Sequence, residues 1–163
     1  MKPLCSERIL QSGFMLLTQV IACHIDVKDG IPMTNKELVI GFFVEGYMYH
    51  HYDFLMENVA ADYYDNSPCA ARTNRQCVNI LKGTESIFPD MQVKILDLIE
   101  ENNMVTSRVC FTGTHQAEIY GIPATGKKIR FEALEIFRIE NRKIAESWGY
   151  WPDMQIKELL INK

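Results

Sequence analysis

Two ionisable side chains stand alone on otherwise apolar alternations in the second half of the chain. Between Val105 and Tyr120 one parity carries Val109, Phe111, Gly113, His115, Ala117 and Ile119. Between Lys128 and Ile139 one parity carries Ile129, Phe131, Ala133, Glu135, Phe137 and Ile139. Alternate side chains of a strand face opposite sides of a sheet, so His115 and Glu135 would each project from a greasy face. A carboxyl there must pair, hydrogen-bond or keep its proton, and desolvation raises its pKa. An imidazole beside it can hold a proton near neutral pH. Together they suit general acid–base chemistry on a carbonyl compound. Each alone is more often a core residue: a histidine satisfied by its neighbours, or a glutamate bonded to a tyrosine or the backbone.

Contact between the two depends on strand pairing. A turn at Gly121 to Gly126 separates the stretches, and an antiparallel hairpin with Ile119 near Ile129 sets His115 opposite Ala133. His115 then lies diagonal to Glu135, roughly 7 Å away between backbones. A one-residue slip would remove the contact. Glu146, Trp148 and Tyr150 share a parity in the last alternating stretch. Tyr150 is the candidate donor to a substrate oxygen, and Trp148 either fills the core or walls a pocket. Phe111, Phe131, Ala133 and Phe137 would line that pocket. The run Asp62 to Pro68 reads as a loop whose polar groups, Tyr64 and Asn66 among them, rim it or cap the neighbouring turn. His50 and His51 are adjacent and cannot bind one metal from a single helical face. No metal site is expected.

The elements that must position these groups are legible in order. Thr34-x-x-Glu37 is a capping box before a helix presenting Leu38, Phe42, Val44, Tyr47 and Met48 on one side. Asp53 would cap a short second helix through Leu55, Met56 and Val59. Thr73 starts a third over Asn74 to Ile87, stopped by Pro89. The period then changes to alternation: strands at Met91 to Ile99, Val105 to Tyr120, Lys128 to Ile139 and Lys143 to Tyr150, with turns between. Trp151-Pro152-Asp153 leads into a terminal helix. Helices first and an antiparallel meander afterwards predict an α+β fold with helices on one sheet face.

The chain has 163 residues, a net charge of −4 and five cysteines. That length suits one domain with its own core. Charge without a basic stripe argues against nucleic acid. Cys5, Cys23, Cys69, Cys77 and Cys110 form no C-x-x-C pair or zinc spacing and read as unpaired thiols, with a Cys69–Cys77 disulfide left open for an exported protein. Residues 1–33 form an N-terminal extension with two readings. Lys2, Arg8 and the apolar run Phe14 to Ala22 fit a signal segment, and Val20-Ile21-Ala22-Cys23 resembles a lipobox, with membrane attachment only if Cys23 is lipidated. Glu7, Gln11, Ser12, Thr18 and Gln19 favour a packed helix and a cytoplasmic protein.

Several stretches in residues 34–163 together resemble the SnoaL-like polyketide cyclases and the wider ester cyclase group. They are Asn35 to Val39, Ala61 to Pro68, Phe88 to Met91, Gly113-Thr114-His115, Gly121 to Lys127, and Ile136 to Ile139 followed by Lys143-Ile144. The resemblance implies a nuclear-transport-factor-like domain: a cone-shaped, curved antiparallel sheet, a cystatin-like α+β barrel wrapped on N-terminal helices around a deep pocket. It implies homodimers through the outer sheet face, here Arg108, Cys110, Thr112, Leu134 and Ile136. It further implies cofactor-free, metal-free aldol cyclisation of a small carbonyl-containing ligand, with an aspartate near the end of the last strand as acid–base. That position falls at Gly149 or Tyr150, neither a carboxylate. A helper histidine falls at Glu135, a pocket glutamine at Ala133, and His115 is retained. Glu135 with His115 and Tyr150 is therefore the candidate catalytic set, for cyclisation, isomerisation or hydration. The competing readings are a non-catalytic binder of an apolar small molecule, and a dimeric module whose pocket its own side chains fill.

Overall fold

A computed structural model describes residues 32–68 and 71–162. The signal-segment and lipobox readings, with Cys5, Cys23 and Cys69, lie outside those residues. Among the described residues no helix is long and apolar enough to cross a membrane.

The first helix, α1 (Asn35–Phe43), begins at the capping box read from sequence. Glu37 N–H donates to Thr34 Oγ1 at 3.2 Å, and Thr34 N–H donates back to Glu37 Oε2 at 2.8 Å. A π-helical turn, Val44–Met48, continues it and turns Tyr47 onto the core. In α2 (Tyr52–Asn58), Asp53 lies in the first turn rather than at the cap, a position His51 occupies. Thr73 caps α3 (Asn74–Ile87), accepting from Gln76 N–H at 3.1 Å.

Five strands form one sheet in the order β1-β5-β4-β3-β2: β1 (Val59–Asp65), β2 (Gln92–Glu101), β3 (Met104–Thr114), β4 (Lys128–Glu140) and β5 (Lys143–Tyr150). The expected all-antiparallel sheet is corrected to a mixed one, because β1 pairs β5 in parallel. Asp62 to Asp65, expected in a loop, belongs to β1. Its signal was hidden by polar residues on the exposed face of an edge strand. The β2–β3 and β4–β5 hairpins turn in two residues, with Asn102 (φ 55°) in the first and Asn141 (φ 49°) and Arg142 (φ 61°) in the second. Positive φ at both central residues, as in the second turn, or at the first alone, as at Asn102, lets such a turn follow the sheet twist. A bulge between Arg138 and Ile139 lets both Ile144 and Ser147 face inward on β5.

The helices cover one face. That face presents Val105, Val109, Phe111, Ile129, Phe131, Phe137 and Ile139, all buried. They meet Phe42, Phe43 and Tyr47 in an aromatic core, with Phe43 and Phe137 rings 5.6 Å apart at 82°. The last helix, α4 (Asp153–Ile161), buries Ile156 and Leu160. Lys127 Nζ donates to the carbonyls of Leu160 (2.7 Å) and Asn162, satisfying helix-end acceptors.

The β3–β4 register differs from expectation. Gly113, not Ile119, stands opposite Ile129, and Ser107, not Gly113, stands opposite Glu135. The slip is an even number of residues, so the inward parity of both stretches holds while the neighbours change. β3 ends early because Asp90 takes two hydrogen bonds from Thr114, from its N–H (2.6 Å) and its Oγ1 (2.7 Å). The chain then leaves the sheet as a loop, 115–127, pinched by an Ile119–Ile122 bridge around Tyr120 and Gly121, both at positive φ.

Candidate active site

Glu135 projects from the inner face of β4 with 6% of its surface exposed. Opposite it on β5 is Gly149, and the next inward residue there is Ser147, facing Phe137. Ser147 hydrogen-bonds the Glu135 carboxyl. Tyr63, inward on β1, lies 2.5 Å from Ser147 Oγ through its phenol oxygen. The three side chains make a chain of hydrogen bonds from phenol through hydroxyl to one carboxyl oxygen. The other oxygen, Glu135 Oε2, is buried without a partner. Asp65, the next inward residue of β1, has its carboxylate occupied by the Ser67 N–H (2.7 Å) and Oγ (2.8 Å).

These surroundings hold the Glu135 proton. Burial pushes its pKa from 4.5 up to about 8; the Ser147 hydrogen bond opposes that rise and the Asp65 charge adds to it. Burial, followed by the Glu135 charge, pushes the Tyr63 phenol well above its ordinary range, and the same two causes push up the Cys77 thiol. At neutral pH Glu135 is therefore mostly a carboxylic acid, with roughly a tenth ionised.

Glu135, Tyr63, Asp65 and Ser67 mark the polar end of a cavity of about 370 Å³. Apolar groups form its body, among them Phe42, Leu81, Phe88, Met91, Phe131 and Ile156. Gly83, Tyr120 and Asp153 are the exposed lining residues, and Tyr120 Oη donates to Asp153 Oδ1 at 2.6 Å. A volume of this size falls in the range of roughly 300–1,000 Å³ that takes small organic ligands.

The other residues singled out in the sequence are distributed differently. His115 is completely buried, but eight positions along the strand line from Ser107, roughly 25 Å at ~3.3 Å per residue. Its Nδ1 accepts from Thr125 N–H at 3.2 Å and its ring packs on Phe88, so the expected contact with Glu135 is absent. Tyr150 is 64% exposed and pairs with Leu134 on the outer face, away from Glu135. Trp148 also faces outward, and with Asn66 and Tyr150 it lines a separate cleft at the sheet edge. Tyr64 is exposed, with the Arg72 guanidinium 3.8 Å from its ring centre. Phe131 lines the cavity, whereas Phe111, Ala133 and Phe137 share its buried face within the core. Cys77 and Cys110 are free thiols. No cluster of three potential metal ligands occurs among the described residues.

Sequence reasoning missed Tyr63, Asp65, Ser147 and Trp151. Trp151 stacks among Phe111 (5.2 Å) and Tyr47 (6.0 Å) and walls the cavity, the part assigned to Trp148. The small inward residues Ser147 and Gly149 were the available signal. Aromatic side chains on one parity and small ones on the other leave the inside of β5 open for groups from elsewhere.

A mixed five-stranded sheet with helices on one face and a cavity between them defines a nuclear-transport-factor-like α+β domain. The chain belongs to the SnoaL-like polyketide cyclase family, whose model matches residues 37–158. The fold is shared with a SnoaL-like protein from Jannaschia sp. CCS1 (TM-score 0.73, 17% identity, covering 79% of this chain and 92% of that one). TsrD from Streptomyces laurentii is comparably similar (TM-score 0.73, 21% identity, 80% and 98% covered). So is IdmH from Streptomyces antibioticus (TM-score 0.70, 22% identity, 78% and 99% covered). Comparison with curated protein sequences finds no match.

Proposed function

We propose that this protein is an acid–base catalyst of the cyclase type, acting on a small, largely apolar carbonyl compound, with Glu135 as the proton-transferring group. The observation that carries the reading is the unpartnered Oε2 of Glu135, buried at the polar end of an apolar cavity. The carboxylate form would take a proton from a carbon flanked by carbonyls; the acid form would return it to the new alkoxide. The open volume beside Glu135 supports a ligand there rather than a cavity filled by its own side chains.

The family resemblance puts an acid near the end of the last strand. Gly149 occupies the inward site there, directly opposite Glu135, so the acid would reach the same space from the neighbouring strand. His115, held by Thr125 at the far end of β3, would shape the 115–127 loop instead of sharing the proton.

The test is exchange of the central C–H of aromatic 1,3-dicarbonyl esters with D2O, followed by NMR. Glu135→Gln is expected to slow enzyme-dependent exchange at least ~100-fold, the lower range for a positioned acid–base group, with the fold retained by circular dichroism. The wild-type rate should rise with pH and level off above about 8, as the carboxylate forms. Unchanged exchange in the folded variant sinks the assignment.

A further inference from the structure

The space that an acid at position 149 would fill is taken by an indole. A Cβ built on Gly149 would lie 2.6 Å from Trp151 Nε1, 3.1 Å from Trp151 Cδ1 and 3.7 Å from the Glu135 carboxyl carbon. The indole nitrogen and the carboxyl thus flank the same small volume from two sides. Both side chains line the cavity. The ring is fixed by Phe111, Phe131 and Tyr47, whose centres lie 5.2, 6.4 and 6.0 Å away. Its two residue neighbours contribute rigidity: Pro152 follows directly, and Trp151 C=O accepts from Asp153 N–H at 3.0 Å.

We infer that the Trp151 indole N–H is a further catalytic residue, the hydrogen-bond donor to the substrate oxygen on which negative charge develops while Glu135 takes the proton. The inference rests on the acid–base reading of Glu135. A C–H bond between two carbonyls breaks, its proton goes to Glu135 and its electron pair moves into the adjacent carbonyl as an enolate oxygen. Trp151 donates to that oxygen. The enolate carbon then attacks a second carbonyl carbon of the same molecule, forming one C–C bond, and the resulting alkoxide recovers the proton from Glu135. Nothing is oxidised or reduced. An indole donor suits this site because it is neutral. It can stabilise an oxyanion without forming the ion pair that would lower the Glu135 pKa and weaken it as a base. Its aromatic face also packs against the flat, conjugated substrate such an enolate requires.

Two measurements separate this inference from the one beneath it. Replacing Trp151 with 3-benzothienylalanine keeps the ring shape and removes the N–H. Exchange of the aromatic 1,3-dicarbonyl probe should then fall ~10²–10³-fold in kcat, the usual cost of one oxyanion donor. KM should stay within about twofold and the inflection near 8 should not move. Full exchange with the benzothiophene, alongside loss in Glu135→Gln, overturns the role of Trp151 and leaves that of Glu135. The second measurement needs no turnover: 2-naphtholate, an enolate mimic, is titrated into the 15N-labelled protein. Its two indole signals are assigned with Trp148→Phe. A downfield shift of the Trp151 Nε1–H, and not of the Trp148 signal, in both the wild type and Glu135→Gln supports the inference, whether or not exchange depends on Glu135. Absence of that shift at millimolar naphtholate overturns it.

Discussion

At the scale of single residues, the protein keeps the Glu135 carboxyl buried and sets its proton affinity through that burial and two neighbours. Burial dominates, Ser147 donates a hydrogen bond that opposes it, and the charge of Asp65 reinforces it. Ser147→Ala should therefore raise the apparent pKa read from the exchange profile, and Asp65→Asn should lower it. Movement in either opposite direction would show that these contacts do not set the proton affinity. The same shift is linked to stability. A carboxyl whose folded pKa lies above its unfolded value binds its proton more tightly when folded, so its contribution is complete below 4.5. It declines as pH rises and is gone above about 8. Thermal unfolding of the wild type should weaken across that window relative to Glu135→Gln. The glutamine cannot ionise, so the stability difference should turn in its favour at alkaline pH.

At the scale of elements, most boundaries were legible because their signals are local. Thr34 and Thr73 announce helix starts through side-chain bonds three residues away, and Asn141-Arg142 announces a turn by its own conformation. The face of each long strand was legible too, since alternation survives an even slip. What could not be read was which residues meet across strands. β3 ends where Asp90 holds Thr114, a contact between residues 24 apart that alternation does not encode. Bulk misled as well: Trp148 and Tyr150 looked like interior residues, yet the inward positions of β5 are Ser147 and Gly149 because Tyr63, Trp151 and Glu135 need the room. Gly149→Ala tests that crowding. Its Cβ would meet the indole nitrogen at 2.6 Å, so the variant should lose about 1–3 kcal/mol in urea unfolding, the usual range for overpacking. A neutral result would mean the indole moves aside freely.

At the scale of the whole molecule, we propose that a second copy packs against the outer sheet face, as the family resemblance implies. Leu134 is 46% exposed there opposite Tyr150, with the next outward pair, Ile136 and Trp148, half-buried. On that proposal Leu134→Arg should halve the mass seen by light scattering. A wild-type monomer at micromolar concentration would remove it.

The parallel pairing of β1 with β5 carries a consequence for how the protein is made. Asn66 donates to the carbonyl of Ser147 across 81 residues, and Tyr63 reaches the same serine across 84. Joining segments so distant costs chain entropy early and rewards it late, which slows folding. Helices α1 to α3 and the β2–β4 meander precede β5 in the chain and can form before it. The wall that completes the cavity must wait for β5, and until it docks the β4 edge stays unpaired.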